Sequence, residues 1–116
     1  MILQELDDEI PPPMAVAIKE SEKSNRRFKL GAVITKKKKI LGKGFNSRKT
    51  HPRFGSGEYN TLHAETYALY KAINAGHDVA GATMYVYRSH FNLAKPCQTC
   101  QQILQNFKIG KVIYTA

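Results

Sequence analysis

Cysteine is scarce in this 116-residue chain: only Cys97 and Cys100, three positions apart. A disulfide framework of the kind that staples small secreted folds is therefore excluded, and the pair suits a metal site or a redox couple. Long apolar runs are missing too. Nothing approaches the roughly 18 residues that a membrane span requires, so no membrane partner is expected. Acidic residues number nine against eighteen Lys and Arg, a formal net charge of +9. Four of the nine (Glu5, Asp7, Asp8, Glu9) fall in the first ten positions. From Lys23 onward, only Glu58, Glu65 and Asp78 offset the basic residues. A field of that sign favours polyanions or phosphorylated small molecules, although it serves solubility equally well. The acidic start lacks the basic opening of a secretory signal. With so little cysteine, we expect a reduced, cytoplasmic setting.

The length predicts one domain over residues 1–116 with a single hydrophobic core. Pro11-Pro12-Pro13 can open a helix at its first turn, predicted from Met14 to about Asn25. Leu30 to Thr35 and Ile40 to Phe45 read as strands of a hairpin turned by Lys36 to Lys39. Residues 46–62 are polar, basic and marked by Pro52, Gly55 and Gly57, a long loop of the sort that is often functional. Leu62 to Ala75 predicts a second helix, with Ala64, Ala68 and Ala72 on one face and Gly76 beyond its end. A third strand is expected over Ala82 to Tyr87, a third helix over Cys97 to Phe107, and a fourth strand over Val112 to Tyr114. The predicted class is α/β: a mixed sheet of about four strands with helices on both faces, in three layers.

Two short motifs carry the chemistry. His63-Ala64-Glu65 and Pro96-Cys97-Gln98-Thr99-Cys100 each stand at the start of a predicted helix. Helix N-termini offer free N–H groups and a positive dipole end, which favour the thiolate that metal binding needs. Zinc takes nitrogen and thiolate ligands tetrahedrally, and a catalytic site keeps one position for water. His63, Cys97 and Cys100 supply three ligands, and a closed four-cysteine site is impossible. Zinc lowers the pKa of its bound water toward ~7. Glu65, two residues from the histidine, is then available as a general base and acid. Taken singly, Cys-x-x-Cys could be a redox pair, His63 an ordinary helix residue and Glu65 a first-turn charge. The combination points to zinc.

This H-x-E…P-C-x-x-C arrangement is the signature of zinc nucleobase deaminases, and the chain resembles the cytidine deaminase-like superfamily over almost its whole length. Leu30-Gly31-Ala32-Val33-Ile34 is similar to the family's first strand. Gly42-Lys43-Gly44-Phe45-Asn46 is similar to its second. The resemblance implies that Asn46 hydrogen-bonds substrate sugar or base and that the Ala64 backbone meets the base edge. Two departures stand out. Arg88 to Lys95 make a longer loop before Pro96 than the family often has, and the chain stops at Ala116, where relatives commonly continue into another helix and a fifth strand. A minimal or truncated core with its sheet edge covered by a partner chain is therefore expected, and with it a homo-oligomer.

For the substrate, the lysine run at the hairpin turn should lie at the sheet end away from zinc. Better phosphate candidates flank the other end, notably Arg48 and Arg53. Phe28, Phe54 and Tyr87 could stack on a base near that rim, and Pro96 adjoins it. The favoured reading is hydrolytic deamination of cytosine in a nucleotide such as deoxycytidylate. The alternatives are a deaminase acting on cytosine or adenine in single-stranded DNA or RNA, and a non-catalytic zinc-binding scaffold.

Overall fold

The computed structural model describes residues 1–47 and 63–116. Five strands form one sheet: β1 (Ile2–Glu5), β2 (Leu30–Lys36), β3 (Lys39–Phe45), β4 (Thr83–Arg88) and β5 (Lys111–Tyr114), in the spatial order β1-β5-β4-β2-β3. The β2–β3 and β2–β4 pairings are antiparallel, whereas β4–β5 and β5–β1 are parallel. Among the described residues three α-helices, α1 (Pro12–Ser21), α2 (Ala64–Asn74) and α3 (Gln98–Asn106), and a short 3-10 turn at Ser89–Phe91 complete the fold.

Period-2 alternation assigns the sheet faces. Val33 and Tyr87 pack with Met14 and Ala17 of α1. Their neighbours Ala32, Ile34, Met84, Val86 and Val112 face the opposite way, onto Ala64, Ala68 and Leu69 of α2 and Leu104 of α3. The layers are thus α1, sheet, then α2 with α3, as the α/β reading expected.

The strand count is corrected from four to five. The additional strand comes from the N-terminal segment, not from a C-terminal extension. Ile2 pairs with Lys111 and Glu5 with Tyr114, so β1 of this same chain covers the β5 edge. Helix α1 stops at Ser21, short of Asn25. Beyond Ile18 its sequence has no apolar side chain to hold a further turn on the sheet, and Ser21 Oγ donates back to the Ile18 carbonyl. The hairpin turns through Lys37 and Lys38, both at positive φ (52° and 64°), as a two-residue turn matched to strand twist requires. Among the described residues no helix is long and apolar enough to cross a membrane.

Candidate metal centre and active site

His63 and Cys97 are the N-caps of α2 and α3, in extended conformation with ψ of 143° and 164°. Each motif therefore turns from loop into helix at its first ligand. The His63 carbonyl accepts from Tyr67 N and Thr66 Oγ1, which fixes the α2 entry. Cys97 Sγ accepts from Cys100 N at 3.5 Å, and Gln101 Nε2 donates to the Pro96 carbonyl at 2.8 Å, fixing that of α3.

These two helix starts bring three ligand atoms together. His63 Nδ1 lies 3.3 Å from Cys100 Sγ and 3.9 Å from Cys97 Sγ, and all three atoms fall within 4.8 Å of one another. Tetrahedral zinc separates a nitrogen and a sulfur ligand by about 3.6 Å. The donor set fits without rearrangement. Its electrostatics also call for a cation: burial pushes the Cys100 thiol well above its ordinary pKa, and the charges of Glu65 and Cys97 push it further. A dication in this position removes that conflict by taking the thiolate as a ligand.

Glu65, in the first turn of α2, is 3% exposed. Burial raises its pKa; its own backbone N–H, the His63 charge and a hydrogen bond with Cys100 pull in the opposite direction. It opens on a pocket of about 220 Å3, lined also by Leu30, Asn46, His63, Ala64 and Cys97. The remaining wall is Arg88, Leu93, Ala94 and Lys95, from the end of β4 and the loop that follows. The sequence marks that loop as pocket-shaping but does not single out Arg88. Its position, the last residue of the strand leading toward Pro96, is the signal that points to it.

The other expected substrate contacts fare unequally. Asn46 and Ala64 line the pocket. The Asn46 amide also clasps the backbone, with Oδ1 accepting from Leu30 N at 2.9 Å and Nδ2 donating to the Phe28 carbonyl at 2.8 Å. Phe28 is 45% exposed and is not among the lining residues; it lies beneath the Arg88 guanidinium, 4.5 Å from its ring centroid. Pro96 is buried, outside the pocket wall. Tyr87 is no stacking platform: it is buried on the α1 side and meets Phe91 edge-on at 5.2 Å. Arg48, Arg53 and Phe54 lie outside the described residues.

Residues 9–116 match the family model of the cytidine and deoxycytidylate deaminase zinc-binding region. The chain belongs to that family. As a member it is a zinc-dependent deaminase, and His63, Cys97 and Cys100 are the residues placed to hold the ion. It is 28% identical over 120 residues to a deoxycytidylate deaminase of Mycobacterium phage D29, covering 87% of this chain and 89% of the relative. Among solved structures it resembles the apo dCMP deaminase of cyanophage S-TIM5, with TM-score 0.68, 26% identity, and 89% and 82% of the two chains covered. A further likeness is to the diaminohydroxyphosphoribosylaminopyrimidine deaminase/5-amino-6-(5-phosphoribosylamino)uracil reductase of Thermotoga maritima. There the TM-score is 0.61 and the identity 28%, with 87% of this chain and 28% of that longer one covered.

Proposed function

We propose that the protein hydrolyses cytosine to uracil and ammonia in a free nucleotide such as deoxycytidylate. The observation that carries this reading is Glu65, a buried carboxyl group set among metal-ligand atoms and opening on the substrate pocket. A structural zinc site has no need of it. His63, Cys97 and Cys100 would hold the zinc, which would supply activation of the attacking water. Glu65 takes one proton of that water and gives it to the ring nitrogen, then takes the second from the hydroxyl left on the ring carbon and gives it to the departing amine, a role that a raised pKa suits. The Ala64 backbone meets the base edge. Asn46, with one amide hydrogen uncommitted by its backbone clasp, reaches the sugar.

Two relatives favour a phosphorylated pyrimidine, since both the deoxycytidylate deaminase and the phosphoribosylaminopyrimidine deaminase are named for one. A pocket near 220 Å3, below the roughly 300–1,000 Å3 of drug-sized sites, suits one base rather than an extended ligand. The reading treats residues 1–116 as one domain, working as a cytoplasmic homo-oligomer with Cys97 and Cys100 kept reduced. In that reading Arg48 and Arg53 also approach the phosphate, and Pro96 backs the pocket.

The test is ammonia release from deoxycytidylate, deoxycytidine, adenosine and single-stranded DNA and RNA, using zinc-loaded protein with Glu65→Gln as control. Turnover greatest on deoxycytidylate is expected. A second reading, deamination within single-stranded nucleic acid, is favoured by exposed Phe28, whose ring has Arg27 and the pocket-lining Arg88 against it. Turnover confined to polynucleotide, with affinity falling steeply with salt, would replace the first reading by the second.

A further inference from the structure

The charge of the pocket wall is unbalanced. Glu65 is its one carboxylate among the described residues, whereas Arg88 and Lys95 add two cations that neither metal binding nor proton transfer employs. Arg88 is half-buried at the end of β4. Its Nη1 donates to the Leu93 carbonyl at 3.4 Å, its guanidinium carbon lies 4.5 Å from the Phe28 ring centroid, and its Nε is buried without a partner. Among the described residues no carboxylate pairs with it. A guanidinium partly withdrawn from water without a counter-ion is unfavourable unless an anion joins it.

The loop that holds Arg88 in place is firmly built. Thr115, fully buried, accepts from Arg88 N through Oγ1 and donates to the Asn92 carbonyl, while its own carbonyl accepts from Ala94 N. Ser89 exchanges hydrogen bonds with the Lys29 backbone at the mouth of β2. His90 and Phe91 both take positive φ (61° and 55°), a conformation that costs energy in non-glycine residues, and His90 N is anchored on Tyr87 Oη. Strain held by this many contacts, beside a pocket, is consistent with a positioning role.

We propose that Arg88 is the receptor for the substrate's phosphate, and that it sets the preference for nucleotide over nucleoside; this rests on the nucleotide reading above. The guanidinium fork matches phosphate bidentately, and its contacts with Phe28 and the Leu93 carbonyl favour its placement at the pocket wall before substrate arrives. Lys95, exposed on the rim, adds charge without fixed geometry.

Calorimetric binding of the two products, deoxyuridylate and deoxyuridine, tests this without requiring turnover. Zinc-loaded wild type should bind deoxyuridylate the more tightly. In Arg88→Gln the ratio of the two dissociation constants should shrink by roughly 10- to 100-fold. A wild type that prefers the nucleotide, with a variant that keeps that preference, would remove Arg88 as receptor and leave the nucleotide reading standing. A wild type without preference would overturn both. Parallel weakening of the two ligands would mark Arg88 as merely structural and overturn the proposal. Arg88→Lys keeps the charge but not the fork, so an intermediate ratio is expected; an undiminished one would count against bidentate recognition.

Discussion

Gly44 lies directly against the first turn of the helix that carries the site: a Cβ added there would stand 2.9 Å from the Ala64 carbonyl oxygen and 2.6 Å from Ala68 N. The centre of the β3 end and the start of α2 are thus in backbone contact, and Ala64 is flanked by His63 and Glu65. Gly44→Ala should push α2 outward, costing about 1–3 kcal/mol of stability by overpacking and weakening zinc binding at the same time. Gly76 is the comparison. It has a φ of +85° and open space around it, so Gly76→Ala should cost about 1–2 kcal/mol in backbone strain without altering metal affinity. Thermal melts paired with zinc titrations separate the two; unaltered zinc affinity in Gly44→Ala would break the link between strand and site.

Glu65→Gln is expected to lower turnover by about 100- to 10,000-fold, the usual scale for loss of a general acid–base. The amide is nearly isosteric, and burial already disfavours the charged carboxylate. Zinc content and melting temperature should therefore stay close to wild type. Activity within a few-fold of wild type would transfer the proton step to another group.

Much of this was legible in the sequence because local chemistry and tertiary role coincide. His63 and Cys97 cap their helices and also point to one ion, so a motif reading found both. A hairpin turn within Lys36–Lys39 was equally plain from the two strands around it, and pairing of Lys36 with Lys39 narrows it to Lys37 and Lys38. The strand β1 was not. Ile2-Leu3-Gln4-Glu5 has no clean alternation, with only Leu3 and Gln4 partly buried, and its conformation is imposed by pairing with β5, more than a hundred residues along the chain. Arg88 escaped for a similar reason. A lone arginine in sequence is indistinguishable from a solvated one until Phe28, Leu93 and Thr115 are seen to surround it.

Zinc affinity should rise with pH. In the metal-free protein burial holds the Cys100 thiol protonated above its ordinary range, so binding the ion at neutral pH must release that proton. Each proton released makes the apparent affinity change roughly tenfold per pH unit. Competition titrations with a chelator at several pH values measure the slope, and Cys100→Ala should reduce it by one proton. The sign for stability follows from the same shift. Because the folded thiol keeps its proton where the unfolded chain loses it, the metal-free fold should weaken as pH rises through the ordinary thiol pKa. Saturating zinc should reverse that trend, and a metal-free melting temperature that climbs over this window would contradict it.

Asn46 joins the two ends of the hairpin that border the pocket, accepting from Leu30 N and donating to the Phe28 carbonyl. Asn46→Asp retains the acceptor but places a carboxylate against that carbonyl, whereas Asn46→Ala abandons both groups. Leaving such partly buried partners unsatisfied costs about 1 kcal/mol each, the low end of the buried range, so both variants should melt earlier, with the aspartate no better than the alanine. The clasp also holds Phe28, whose ring lies against the Arg88 guanidinium. Loss of Asn46 should therefore weaken nucleotide binding more than nucleoside binding. Equilibrium denaturation together with product-binding titrations checks both halves. Equal loss for nucleotide and nucleoside would confine Asn46 to the sugar and base and uncouple it from the arginine.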